Sequence, residues 1–404
     1  MRNLICFAVA MFFIFPVYID RGGDADGSED KIKEIIEKVD EIVLENYVRK
    51  IQGFGTHPTG SEECEKVADF IYNELNEIGV SVEYFEWSKN GYEGKNIIAT
   101  IPGETNSTVV ITAHYDSYPG SPGADDDGSG VSCLLMGARI LSHYSFHHTI
   151  KFVFFSGEEQ GSLGSQSYVR YLYDKGEDII ADINVDTVGH AISTEGGNLI
   201  RTLTDESSIW ISDVAEEICN KYDIGLNIYR HGNFGGSDHQ SFIDYGYEAI
   251  FFVEYEFNSN MHTSEDKIEN MNMSYLLKSC KLVLATSAKI ADRNFEVRIK
   301  IEEPRMGSIY LNDRRILSIE EHYAIIFGRT LARVKVDGKH IKRVEFYFDG
   351  KIKGFCETPP YEYTYTNMAF LKHDIKAVAV SNKSTDMSKI EIIVFNFLPP
   401  GPPH

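Results

Sequence analysis

Apolar residues recur three and four positions apart along Lys31–Val48 and again along Glu63–Ile78, so each stretch predicts an amphipathic helix. Thr59-Gly60-Ser61-Glu62 stands just before the second as a T-x-x-E capping box. Beyond it the pattern alternates. Short apolar runs bounded by turn residues, at Asn96–Ile101, Val109–Ala113, Lys151–Phe155, Ile183–Val185 and Ala249–Val253, read as strands. Helical stretches Val131–Tyr144, Ser165–Tyr173, Ile209–Tyr222 and Met271–Ala291 lie between and after them. Such alternation predicts a three-layer α/β unit, a mostly parallel sheet flanked by helices on both faces. Ligands of these sheets gather at the carboxyl ends of the strands.

After Ala291 no helical period remains. Eight short strand patterns follow between Phe295 and Phe397, with Asp337-Gly338 and Asp349-Gly350 as hairpin signals. That density of strands predicts an all-β sandwich of immunoglobulin-like type over residues 296–398. Charge changes at the same place. Residues 1–295 hold 22 basic and 47 acidic side chains, whereas 296–404 hold 17 and 14. The chain is therefore divided into an α/β domain at 28–295, a sandwich at 296–398 that reads as separable, and a disordered tail at 399–404.

Residues 1–27 form a leader. Met1-Arg2-Asn3 is followed by an unbroken apolar run from Leu4 to Phe15 and then by small and acidic residues. This predicts a signal peptide or an uncleaved N-terminal anchor, and hence a secreted or extracellular, membrane-anchored protein. The net charge of −22 opposes binding to nucleic acid. Cys6 lies in the leader, and the remaining five cysteines, an odd number without a CxxC pair, argue against a disulfide scaffold while leaving room for one surface bridge.

Chemistry collects at the predicted strand ends. Val109–Ala113 runs into His114-Tyr115-Asp116, with Asp126 ten residues beyond in a Gly-rich loop. Lys151–Phe155 leads to Glu158-Glu159, Ile183–Val185 to Asp186, and the last strand to His262. Each residue alone has a plain structural reading. Together they deliver imidazole and carboxylate groups to one rim, a donor set without thiolate that suits zinc, manganese or cobalt. Two metals sharing a water need one bridging carboxylate and leave one member of Glu158-Glu159 free as a general base. Asp116, two residues beyond His114 on an extended chain, is expected to accept the free ring N–H of that histidine.

In order and spacing, the His-x-Asp, Gly-Ala-Asp-Asp, Glu-Glu, Asn-Val-Asp and His-Thr elements resemble the M28 family of zinc aminopeptidases, with Gly55–Gly60 and Gly235-Gly236-Ser237-Asp238-His239 adding to the match. The resemblance implies a zinc-exopeptidase fold and two Zn2+ per chain, with Mn2+ or Co2+ as substitutes. His114 and Asp186 would hold one ion, Glu159 and His262 the other, and Asp126 would bridge. Glu158 and Asp116 take the catalytic roles, and Asp127, Asp238 and His239 would support the ligands. It also implies a cis peptide between Asp126 and Asp127. The tyrosine that some relatives use to polarise the substrate carbonyl is replaced here by Met261 or Phe234, which leaves Tyr255, Asn260 and the metals themselves as candidates for that role.

The expected substrate is a peptide or protein N-terminus. A glutaminyl-cyclase-like acyltransferase, a carboxypeptidase with Arg230 as carboxylate clamp, and a receptor-like binding module are the alternatives. Attachment to a cell surface through the sandwich or the anchor is a further reading.

Overall fold

The computed structural model describes residues 27–397, so the leader and tail readings lie outside the described residues. Helices α1 (Gly27–Glu37), α2 (Glu41–Gln52) and α3 (Glu62–Ile78) open the chain. The single helix expected over 31–48 is two. Asp40 adopts extended backbone, and its side chain accepts the N–H groups of Ile42 and Val43, which caps α2 and ends the helical run. Ser61, not Thr59, caps α3 by accepting from Cys64 N. The Thr59 hydroxyl is used elsewhere.

The next elements are β1 (Ser81–Lys89), β2 (Tyr92–Ile101), β3 (Thr105–His114), α4 (Gly128–Leu141), β4 (His148–Phe155), α5 (Leu163–Lys175), β5 (Ile179–Val185), β6 (Leu199–Thr204), α6 (Ile209–Tyr222), β7 (Asn227–Gly232), α7 (His239–Asp244), β8 (Ala249–Glu254) and α8 (Met273–Ala291). The strands form one eight-stranded sheet in the order β1-β2-β4-β3-β5-β8-β6-β7. Its centre, β4-β3-β5-β8, is parallel throughout, so the carboxyl ends of these four strands share one edge. Antiparallel pairings join β2 to β4 and β6 to β8 at the flanks. The edge strands β1 and β7 are largely exposed, and neither shows the continuous buried run that marks a central strand. Helices α2, α3, α4 and α8 pack their apolar faces with Ile97, Ile111, Phe152 and Ile183 of the sheet in the main core.

Ten strands follow: β9 (Val297–Glu303), β10 (Ser308–Leu311), β11 (Arg314–Ser318), β12 (Ala324–Phe327), β13 (Thr330–Gly338), β14 (Arg343–Phe348), β15 (Lys351–Cys356), β16 (Glu362–Tyr365), β17 (Ala369–Val380) and β18 (Thr385–Asn396). They make a seven-stranded sheet, β11-β10-β12-β18-β17-β14-β15, and a three-stranded one, β16-β13-β9, consistent with a sandwich. Asp349-Gly350 is the expected hairpin turn, with φ of 48° and 69° between β14 and β15. Asp337-Gly338 is not a hairpin. Its strand β13 pairs with β16 and β9, and the chain crosses to the other sheet before β14.

The two units are packed together. Tyr168 and Tyr173 of α5, Phe242 of α7, Tyr245 and Tyr247 share one buried apolar cluster with Val297, Met306 and Tyr310. Met306 N donates to Tyr173 Oη at 3.0 Å, and Arg298 and Arg305 pair with Asp178 and Asp174 across the same boundary. The described cysteines, Cys64, Cys133, Cys219, Cys280 and Cys356, are all free thiols. That removes the surface bridge from among the described residues.

Candidate metal centre

The parallel centre of the sheet builds the site. β3 ends in His114, β4 leads through Gly157 into Glu158 and Glu159, β5 is followed by Asp186, and the loop after β8 carries His262. Asp126 lies in the loop that enters α4. Gly157 has φ +81°, and a Cβ there would meet the Trp87 ring at 2.7 Å, so the turn that presents the two glutamates needs glycine.

The side chains meet in two groups that share one residue. His114 Nε2 lies 3.2 Å from Asp126 Oδ1 and 3.6 Å from Asp186 Oδ1. His262 Nε2 lies 3.0 Å from Asp126 Oδ2 and 3.2 Å from Glu159 Oε2. One carboxylate oxygen of Asp126 thus faces each group, and within each group the candidate donor atoms all fall within 4.8 Å of one another. The His114 group is buried, while the His262 side chain is 42% exposed and stacks on Tyr118 with ring centroids 4.4 Å apart.

Supporting contacts fix this geometry. The Asp127 carboxylate accepts the backbone N–H groups of His114 (3.2 Å), Gly130 (2.8 Å) and Thr187 (3.2 Å), pinning β3, α4 and the turn after β5 to one point. The Asp126–Asp127 peptide is cis, as the family resemblance implies. Asp116 departs from expectation. His114 Nδ1 is hydrogen-bonded to the backbone carbonyl of Asp116 at 2.9 Å, and the Asp116 carboxylate stands back at 3.7 Å. That carboxylate instead accepts Glu158 N (3.2 Å), Glu159 N (3.4 Å) and the Thr59 hydroxyl (2.9 Å). His239 is buried rather than at the surface, with Nε2 2.9 Å from Asn233 Oδ1 and its ring against Phe251. Asp238 is fully buried at the N-terminus of α7, and its side chain makes no cap hydrogen bond to that helix.

Electrostatics favours cations here. Burial pushes the Glu158 carboxyl well above its ordinary range, with Asp238 and Asp186 adding repulsion and His114 opposing. Burial and the Asp126 charge push Glu159 up to about 8. Burial acts on Asp126 too, yet hydrogen bonds from His114 and His262 hold it below the usual carboxylate range. Burial alone would lower His114, but Asp186, Asp116 and Asp126 raise it well above its ordinary value. Glu159 Oε1 is buried without a hydrogen-bond partner. Crowded carboxylates whose positive partners are two imidazoles, with a spare buried oxygen, match the donor set of a divalent-cation site.

Three neighbours of the site carry no functional signal in the sequence pattern: Thr59 reads as part of a capping box, Tyr118 follows no period, and Asp266 stands four residues past His262.

Residues 96–287 match the model of peptidase family M28. The chain is 34% identical over 221 residues to leucine aminopeptidase 1 of Phaeosphaeria nodorum, covering 50% of this chain and 57% of that protein. It is 28% identical over 286 residues to leucine aminopeptidase 1 of Ajellomyces capsulatus, covering 64% and 74%. The chain thus spans little more than half the length of the first of these relatives. Among solved structures, the LapA aminopeptidase of Legionella pneumophila superposes with a TM-score of 0.61 at 22% identity, over 65% of this chain and 75% of that one. A zinc aminopeptidase of Bacillus subtilis superposes with 0.57 at 19%, over 64% and 98%. These two likenesses show a shared fold.

Proposed function

We propose that the chain, whose residues 96–287 match the model of peptidase family M28, is a zinc-dependent aminopeptidase that hydrolyses the first peptide bond of a peptide or protein. The observation that carries this reading is the placement of the two Asp126 oxygens, one toward His114 and Asp186, the other toward Glu159 and His262. Those five residues would hold two zinc ions with Asp126 between them. Bound zinc would supply Lewis acidity and lower the pKa of water in the site.

Glu158 is the proton carrier. It sits beside the ligands without joining either group, and its burial gives the carboxyl a raised proton affinity. It takes a proton from the attacking water and returns it to the departing amine. Asp116 fixes Glu158 and Glu159 through their backbone N–H groups. His114 is oriented by the Asp116 carbonyl, which places Nε2 toward Asp126 and Asp186.

Attack from the amino end is supported by charge. The rim is carboxylate-rich and suits a protonated α-amine. The arginine that a carboxypeptidase would present to a terminal carboxylate has no free counterpart in Arg230, which is committed to Asp213 and Glu216. The complete set of five donors supports a hydrolase over a cyclase or a receptor-like module. The leader supports export, with the sandwich or an anchor as a means of surface attachment.

The test is to measure zinc per chain and hydrolysis of free and N-acetylated peptides on one purified sample. About two zinc ions, with turnover lost on acetylation and little changed by C-terminal amidation, are expected. Release of C-terminal residues from acetylated peptides would replace this reading with a carboxypeptidase.

A further inference from the structure

We propose that Asp266 is a positioning residue that holds the loop of His262 against the loop of Asp126 and so completes the Glu159–His262 metal position; this rests on the two-metal reading above. Asp266 is 1% exposed. Its Oδ1 accepts Asp125 N at 2.9 Å, and its Oδ2 accepts Asp126 N at 3.2 Å and the Ser121 hydroxyl at 3.4 Å. Its backbone carbonyl accepts Ala124 N at 3.3 Å. One residue therefore gathers three successive N–H groups of the segment that ends in the bridging carboxylate.

The same residue closes the loop of His262. Asp266 N donates to Thr263 O, and Thr263 N to Asn260 O, so the turn that presents the imidazole ends on the Asp266 backbone. The far end of that loop is tied to the same segment, because Asn258 Nδ2 donates to Asp125 Oδ2 at 2.8 Å. His262 thus lies between two ties, Asn258 and Asp266, that converge on residues 124–126. Without them its Nε2 would lose register with Asp126 Oδ2 and Glu159 Oε2.

The His114 group has a separate support. Asp127 holds His114, Gly130 and Thr187, and Asp266 touches none of those groups. Loss of Asp266 should therefore strike the two positions unequally. Residues that orient metal ligands typically cost about 10- to 100-fold in affinity when replaced.

The experiment uses the full chain as Asp266→Asn and Asn258→Ala variants, with zinc affinities measured by competition against a chromophoric chelator and folding followed by circular dichroism. Wild type should bind two ions. Asp266→Asn should keep one at near wild-type affinity and weaken the other at least tenfold, with kcat recovering as zinc is raised, because Asp266 is placed to touch loops rather than substrate. Asn258→Ala should weaken the same ion by a smaller factor, and decides the matter if Asp266→Asn fails to fold. Unchanged affinities, equal weakening of both ions, or a kcat loss that excess zinc does not restore would overturn the proposal while leaving the metal reading intact. A wild-type chain that binds fewer than two ions would overturn both.

Discussion

Thr59 and Asp116 are joined by a hydrogen bond of 2.9 Å from hydroxyl to carboxylate, and the same hydroxyl accepts Gly157 N at 2.8 Å. The contact ties the segment before α3 to the ends of β3 and β4. Through it Asp116 is held where it can accept the N–H groups of both glutamates. Thr59→Val should leave a buried donor and a carboxylate short of partners, at about 1–3 kcal/mol of stability, and lower kcat by roughly tenfold or more. Thr59→Ser should restore most of both. Equal kcat in Val and Ser variants would show that the hydroxyl does not position the loop.

Replacing the two adjacent glutamates should separate their roles. Glu158→Gln removes the proton carrier and is expected to retain zinc while kcat falls by two orders of magnitude or more. Glu159→Gln should lose one ion along with activity. Metal analysis of the purified variants decides, and equal zinc loss in both would reverse the assignment.

The stack between Tyr118 and His262 restrains the most exposed of the candidate ligands. Such ring pairs contribute about 0.5–1.5 kcal/mol, so Tyr118→Ala should weaken the Glu159–His262 ion by roughly two- to tenfold. Tyr118→Phe should preserve it. A kcat loss in the Phe variant with zinc affinity intact would instead assign a chemical role to the hydroxyl.

His239 makes an acid-sensitive contribution away from the ligands. Burial pushes its pKa from 6.5 to about 3, so it stays neutral in the folded chain where an unfolded chain would take up a proton. The unfolded state therefore binds more protons between those values, and stability falls as pH falls through that window. At pH 5 the loss is about 2 kcal/mol. Denaturant unfolding of the metal-free protein at pH 7 and pH 5 should show a smaller difference for His239→Gln than for wild type. An identical pH response in both would remove His239 as the cause.

The tyrosine cluster at the boundary of the two units bears on truncation. A chain ending near residue 295 would uncover Tyr173, Tyr245 and Tyr247 and lose the partners of Asp174 and Asp178. The sequence pattern alone would permit such a cut. The packing predicts that the shortened protein aggregates or melts several degrees lower, which light scattering and thermal unfolding can measure. A soluble fragment with the melting temperature of the full chain would show that the boundary cluster contributes little.

The residues that carry chemistry were legible because their placement is local. A buried parallel strand announces itself as an apolar run, and the ligand candidates follow such runs at His114, Glu159 and Asp186, or lie in the loops beyond at Asp126 and His262. The immediate neighbours of those runs could be named without knowing which strands pair. The edge strands β1 and β7 were not legible, since strands with so little buried surface need no continuous apolar run. Nor was the division of labour among carboxylates. Asp116 lies two residues from His114 in the chain, yet its carboxylate meets Thr59, Glu158 and Glu159, and His114 takes the backbone carbonyl instead. Asp266 reaches residues some 140 positions away, and Tyr173 of α5 packs on Met306 of the β-rich region. Periodicity reports which face of an element is buried. Which distant groups meet across that face is settled only when the sheet order closes, because hydrogen bonds and ring contacts depend on distances that local pattern does not encode.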